Sequence, residues 1–508
     1  MTQSQSTEQL RRDAKRLKKA FDTGEAAARH RVESHLGARA EIKLADALHV
    51  VARETLFESW PALVKASETL GLDRAAAQQR LKFALYHGQN EKVSALLDQY
   101  PDLNKGAFGL SCALYDQSEV ARMLADDPGY ATRQIGPRRP ILHLAFSRWH
   151  KARPDLQESM VSVADMLLAN GADVNDGYPF QQGDDHLLSA LYGAIGHADN
   201  MVLGRWLLDN GADPNDGESL YHATELGHHD GLRMLLEAGA NPHGTNALLR
   251  AMDFHDHTAV EMLIAHGAQA DDFNDAEIGG EQPWVCPALH QAARRSSDAR
   301  MTDLLIQAGA DPNRVYRGAN AYGFARVHGN RAVSRAIEAM GATAELTPEE
   351  VLLARAADGL ESPGQFIDPA KLPEAYRHLI REILHLPGRL GHVKRLVALG
   401  LPFDAPDSEG LTPLHVAGWE GLPEVMQYFI NLQADLSHVN GYGGTLLSTI
   451  IHGSENNPSR QGRDYLECLR LALTAGVALP RRTALNAGRA DISEFLRDWA
   501  MKYPGQVV

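Results

Sequence analysis

The chain has 508 residues and a mass of 55.5 kDa, too long for one hydrophobic core, which stops growing near ~250–300 residues; it must divide into domains or grow by repetition. Hydrophobic residues make up 44%, charged residues 23% and aromatic residues 6%, with 44 Gly and 24 Pro, which excludes collagen-like and disordered classes. The net charge of −15 is concentrated: residues 151–345 hold 28 Asp and Glu against 13 Lys and Arg, and the remainder is balanced at 37 each. Such an acidic stretch repels phosphate backbones, which argues against nucleic-acid binding, and it suits a basic surface or segment on a partner. No apolar run approaches the ~20 residues of a membrane helix, so no membrane association is expected. The polar start and the basic segment behind it lack the apolar region of a secretory signal. Three distant cysteines, Cys112, Cys286 and Cys468, form neither a disulfide framework nor a metal spacing, and a cytoplasmic location is expected.

In chain order, residues 1–74 read as a helical leader. Leu10, Ala14, Leu17 and Phe21 fall on one helical face, with Arg11, Arg12, Lys15, Arg16, Lys18 and Lys19 around it. A second helix is expected from Leu44, leading into Phe57–Leu63. Glu8, Asp13 and Asp22 dilute the basic face, so a cap over the end of whatever follows is a better reading than a nucleic-acid or membrane contact.

Beyond the leader one phrase recurs: Asn170-Gly-Ala-Asp-Val-Asn175, Asn210-Gly-Ala-Asp-Pro-Asn215, Ala238-Gly-Ala-Asn-Pro-His243, His266-Gly-Ala-Gln-Ala-Asp271, Ala308-Gly-Ala-Asp-Pro-Asn313 and Met340-Gly-Ala-Thr-Ala-Glu345. Weaker copies stand at Gly400, Gln433 and Gly476. Each follows a short apolar helix, and a glycine in left-handed conformation explains why the helix stops there. The most regular unit is Asp407–Ser437. In it Leu414 and Ala417, then Val425, Phe429 and Ile430, recur at helical spacing; Pro413 occupies the first helical turn, and Gly421 separates the helices. A two-helix unit is too thin to cover its own apolar stripe, so neighbours must stack.

Thr412-Pro-Leu-His-Val-Ala417 matches the T-P-L-H-x-A pattern in full, and partial copies lie at Ile141–Ala145, Ala190–Ala194, Ser219–Ala223 and Ala288–Ala292. Over roughly residues 78–502 the chain resembles an ankyrin-repeat protein, and the leader resembles the helical segment ahead of some bacterial arrays. The resemblance implies an all-α helical solenoid of stacked helix pairs with projecting turns, capped by the N-terminal helical segment. The expected divisions are the leader at 1–74, a first array at 75–345, a degenerate repeat or hinge at 346–380, and a second array with a C-terminal cap at 381–508. Arg148–Ser159, Asp272–Pro287 and Ile451–Arg463 read as insertions that lengthen their units.

Catalytic signatures are missing from the sequence: it has no G-x-x-x-x-G-K-[ST], H-E-x-x-H, G-x-S-x-G or C-x-x-C. Gly441-Tyr-Gly-Gly-Thr445 reads as a turn. His228-His-Asp230 and His255-Asp-His257 fall at turns between helices, and neither offers the converging ligands of a zinc site; no metal and no cofactor are expected. Cys286 and His290 invite a thiol–imidazole reading, but His290 stands at the T-P-L-H histidine, which in the family ties neighbouring loops together.

In ankyrin repeats the residues after the small pair of the inner helix line the concave groove. That correspondence nominates Arg148, Glu225, Asp253 and Phe254, Arg294 and Arg295, His328, Trp419 and Glu420, and His452, with Trp284 in the long turn 272–287. Groove tryptophans and arginines suit recognition of another protein, so the expected function is a protein-interaction scaffold. The alternative is an enzyme whose active site is formed by the groove and the long loops 272–287 and 451–463.

Overall fold

The computed structural model describes residues 7–54, 59, 60, 63, 72–179, 186–274, 285–457, 459–481, 483 and 489–508. They form two compact units, one ending at Asn241 and one running from Pro242 to Val508. Both are built almost wholly of short helices.

The first unit opens with three helices, Thr7–Asp22, Ala26–Leu36 and Leu44–Glu54. The expected stripe of Leu10, Ala14, Leu17 and Phe21 is buried, together with Val32, Val50 and Val51, in a core belonging to these helices. Arg31 fastens them by reaching Asp13 at 3.1 Å and Glu54 at 2.6 Å. Helix pairs follow: Arg74–Tyr86 with Asn90–Gln99, Phe108–Ala113 with Gln117–Asp126, and Pro140–Ala145 with Gln157–Ala169. In the next pair the first helix, Ala190–Tyr192, widens into a π-turn at Gly193–His197 before Met201–Asp209. Ser219–Ala223 and Asp230–Glu237 close the series. The lengthening at Arg148–Ser159 is made of two 3₁₀ turns, Trp149–Lys151 and Pro154–Leu156.

The second unit repeats the pattern from Ala247–Asp253 with His257–Ala265 to Leu446–Asn456 with Tyr465–Thr474. Among the described residues the strands form two small antiparallel hairpins, Gly177–Pro179 with Leu187–Ser189 in the first unit and Val315–Tyr316 with Ala319–Asn320 in the second. Residues 346–380 contain the helix Pro348–Ala357, opened by a capping box between Thr347 and Glu350. The Glu350 carboxylate also accepts the Tyr376 hydroxyl at 2.7 Å. Of the insertion expected at 451–463, Ile451–Asn456 is helical instead. Gly453 permits this, because a Cβ there would stand 2.3 Å from the Trp419 carbonyl oxygen; the two backbones meet where a turn was expected. Of 272–287, residues 275–284 lie outside the described residues.

The Gly-Ala phrase works as a helix stop. Gly171 has φ +90°, its N–H donates to Leu168 O, and Ala172 N–H donates to Leu167 O, both at 3.0 Å, the paired bonds of a Schellman end. Gln433 holds the same place at φ +59° with the same two bonds, a conformation that is strained for a residue with a Cβ.

The polar letters of the phrase make a second set of bonds. Within a turn the Asp side chain accepts the N–H two residues on: Asn175 to Asp173, Asn215 to Asp213 and Asn313 to Asp311, each at 2.9 Å. The final residue then reaches the following turn. Asn175 Oδ1 accepts the N–H of Asp213 at 2.8 Å, and Asn215 Oδ1 that of Asn241 at 2.8 Å. In the second unit Asp271 Oδ2 accepts the N–H of Asp311 at 2.7 Å. In the regular unit Thr412 caps its helix and pairs with His415 Nδ1 at 2.8 Å, while His290 Nε2 bonds to Ala319 O of the next turn at 3.1 Å.

Replacing Asn215 by Ala is expected to cost about 1 kcal/mol in denaturant unfolding, and Asn215→Asp, which keeps an acceptor, to cost less. Leu235→Ala and Leu305→Ala, at fully buried positions, should each cost ~2–5 kcal/mol.

Candidate functional site

Asp253 and Phe254, Arg294 and Arg295, His328, and Trp419 and Glu420 fall at the C-terminal end of the first helix of a pair, Arg148 and Glu225 lie two or three residues past such an end, and His452 lies within the helix Leu446–Asn456. The first helix is short, and the turn after it re-enters the second helix through a tight left-handed residue, such as His255 at φ +53° or Gly421 at φ +62°. Side chains at its end are therefore held close to those of the neighbouring pair.

In the second unit Asp253 ends its helix and accepts from Gln291 Nε2 at 2.6 Å, Arg295 Nε at 2.7 Å and Arg250 at 3.1 Å. The equivalent ends of two consecutive pairs are thus joined by a carboxylate–guanidinium bond. Phe254 is 45% exposed, with the Arg250 guanidinium 5.0 Å from its ring centre. Further along, Trp419 meets the exposed His452 ring at 5.3 Å, and the Trp419 carbonyl accepts from Asn457 at 3.1 Å and Tyr465 at 3.0 Å. Glu420 lies 3.9 Å from Arg463; burial pushes its carboxyl up from the ordinary range.

Two nominated residues point inward. Arg294 is only 6% exposed and donates to Gln291 Oε1 at 2.6 Å. His328 is fully buried, stacked on Phe324 at 3.9 Å, with Nδ1 on the Phe324 carbonyl at 2.9 Å and Nε2 on Glu382 at 3.1 Å. Burial works against the Glu382 charge, but the His328 bond and the charges of Arg294 and Arg381 hold its carboxyl below the usual range. These two side chains stabilise the interior and present nothing to a partner. Trp284 lies outside the described residues.

In the first unit Arg148 is half-buried and donates from Nε to His197 O at 2.9 Å. Glu225 accepts from His222 Nδ1 at 2.9 Å, and the other ring nitrogen of His222 lies 3.2 Å from Glu218.

Cys286, His228 and His257 each have a hydrogen-bond partner within the chain. Cys286 donates to Gln291 at 3.3 Å, and burial pushes its thiol up to about 11, so it is no thiolate nucleophile at neutral pH. His228 bonds to Asp199 at 2.8 Å and His257 to Asp298 at 2.9 Å, each a carboxylate on a neighbouring pair. Among the described residues no three His, Cys, Asp or Glu side chains gather as a metal site requires. No helix there is long and apolar enough to cross a membrane. A cavity of about 770 Å³ lies beside Asn104, Tyr115 and Trp149, and one of about 210 Å³ beside Pro363 and Arg395; neither is lined by a nominated residue.

Helix pairs ended by a left-handed Gly-Ala phrase, turns bonded to turns, and the T-P-L-H cap together define the ankyrin repeat, and a model of that family matches residues 286–317. The chain carries ankyrin repeats. Among curated proteins it is similar to protein phosphatase 1 regulatory subunit 27 of Homo sapiens, 37% identical over 89 residues, and to that of Mus musculus, 36% identical over 90 residues. Each match covers 16% of this chain and 57% of the relative. Among solved structures, the human ASB11 ankyrin repeat domain aligns at 20% identity with a TM-score of 0.32, covering 42% of this chain and 90% of that one.

The Glu218–His222–Glu225 group gives a pH dependence. Burial lowers the His222 value, but the two carboxylates outweigh it and raise the imidazole to about 9, above the ~6.5 of an unfolded histidine. The raised value means a stabilising contribution that is complete below ~6.5 and lost as pH climbs through about 9. Denaturant melts between those limits should show stability falling with pH, and His222→Gln should flatten that slope.

Proposed function

We propose that the chain binds another protein along the ends of the first helices of its second unit, with Phe254 and Trp419 as apolar anchors and Arg295, Glu420 and His452 as the polar rim. The observation that carries this reading is the exposure of Phe254, and of His452 against Trp419, with Phe254 and Trp419 both at the end of a first helix. The charges beside them are already paired within the chain, as Asp253 is with Arg295. Aromatic side chains held on a rigid, internally neutralised ridge lose little entropy on binding and gain from desolvation. The printed name of the relatives, a regulatory subunit, supports a role through association. The acidic residues of 151–345 suit a partner with a basic surface, whose association electrostatic steering accelerates.

The test places a photo-crosslinking amino acid at Phe254 or at Trp419, with Glu424, on the second helix of its pair, as the control. One partner captured from both ridge positions and not from the control supports the reading. Equal capture from all three overturns it. With that partner in hand, Trp419→Ala should weaken binding by ~2 kcal/mol or more without lowering helicity, and the association rate should fall as salt rises.

A further inference from the structure

The first unit carries a second cluster, of opposite character to the acidic composition of residues 151–345. Phe83, 53% exposed, lies 4.1 Å from the His87 ring, and His87 meets Tyr86 at 5.0 Å. Tyr86 stands 4.1 Å from His197 and stacks on Phe146 at 5.9 Å. Phe146 in turn meets Tyr178 and Tyr192 edge-on at 5.3 and 5.8 Å. These rings form a continuous floor drawn from three helix pairs and the hairpin strand Gly177–Pro179.

One guanidinium, that of Arg138, sits on this floor, and Arg148 bonds to the backbone beside it. Arg138 lies over Tyr86, Phe146 and Tyr178 at 4.6, 4.8 and 4.3 Å; its Nη2 donates to the Tyr178 hydroxyl, and its Nε is buried without a hydrogen-bond acceptor. Arg148 spends its Nε on the His197 carbonyl at 2.9 Å. Among the described residues neither arginine has a carboxylate within ion-pair distance. The acids of the same neighbourhood are committed elsewhere: Asp199 to Lys151 at 3.0 Å and His228 at 2.8 Å, and Glu218 and Glu225 to His222 at 3.2 and 2.9 Å. Burial, then the charges of Arg148 and Arg138, lower the basicity of His87 and His197, so both imidazoles are neutral at pH 7 and add no further repulsion. A partly desolvated cation without a counter-ion costs stability that a bound anion returns. The planar fork of arginine takes an oxyanion through two parallel bonds, and the rings beside it accept an apolar stem.

We propose that this cluster receives one oxyanion, a carboxylate or a phosphate, carried on a side chain of the protein partner. Arg148 and the Arg138 N–H groups not spent on the Tyr178 hydroxyl grip it, and the Tyr86–Phe146–Tyr178 floor packs its stem. The proposal rests on the reading of the chain as a protein binder and adds a chemical requirement. A partner with a basic surface must still present one acidic or phosphorylated side chain to the first unit.

The probes are N-acetyl-O-phosphotyrosine amide and N-acetylglutamate amide, titrated against the full chain by ligand-observed NMR, with N-acetyllysine amide as the reverse-charge control. Binding of either anion but not of the lysine probe is expected, and the tighter of the two tells phosphate from carboxylate. Arg148→Gln should weaken that binding about tenfold, and Arg148→Lys by less. Inorganic phosphate should displace the bound probe from the unaltered protein, which reads the site even if the variants fold poorly. No binding of either anion, equal binding in Arg148→Gln, or preference for the lysine probe overturns the proposal. Since these probes need no partner, the site can stand where capture at Phe254 and Trp419 fails, and capture can succeed where the probes do not bind.

Discussion

Within each unit the architecture depends on a single kind of hydrogen bond: a side-chain oxygen at the end of one turn accepting a backbone N–H in the next. Asn175, Asn215 and Asp271 all make it. The helices alone could not fix the stack, because pairs this short bury too little apolar surface to choose one mutual orientation. The bond supplies that choice. It also satisfies an amide that would otherwise lack a partner where the chain leaves its helix. The Asp two residues earlier holds the acceptor in place through its own bond to the backbone, as Asp213 does for Asn215.

Aligned turns carry aligned first helices, and the character of the exposed ends follows. Where successive ends bring opposite charges together, they neutralise one another, as Asp253 and Arg295 do. Where they bring rings together, the rings remain available, as with Trp419 and His452. Where a further element packs over the end, the side chain becomes interior: Glu382, on the helix Leu379–Ile383, meets His328 in this way. The same recurring position thus yields a surface anchor, a surface ion pair or a buried one, according to what lies across from it.

This explains what could and could not be read from the residues. The repeat, its helix stops and the Thr412–His415 cap were legible, because each is a local bond pattern tied to particular residue types at fixed spacing. The inward turn of His328 was not, because its partner Glu382 lies 54 residues beyond it, with no spacing rule to connect them. The helix through Ile451–Asn456 was hidden for a related reason. The segment 451–463 read as an insertion, and only the approach of the Trp419 backbone to Gly453 shows that its start belongs to a packed helix. The ring floor under Arg138 escaped notice because its members come from three helix pairs and a strand that share no motif.

The inter-turn bond closes spans of 38, 26 and 40 residues with nearly the same geometry. Such bonds lie one after another along a unit, not side by side, and this has a mechanical meaning. A pull on the two ends of a unit loads them in series, so each link bears the whole force and the weakest parts first. Extension would then proceed in steps, one repeat at a time, and a released repeat could snap back onto a neighbour that still holds its shape. Built this way, a unit under load would give way one repeat at a time and not all at once.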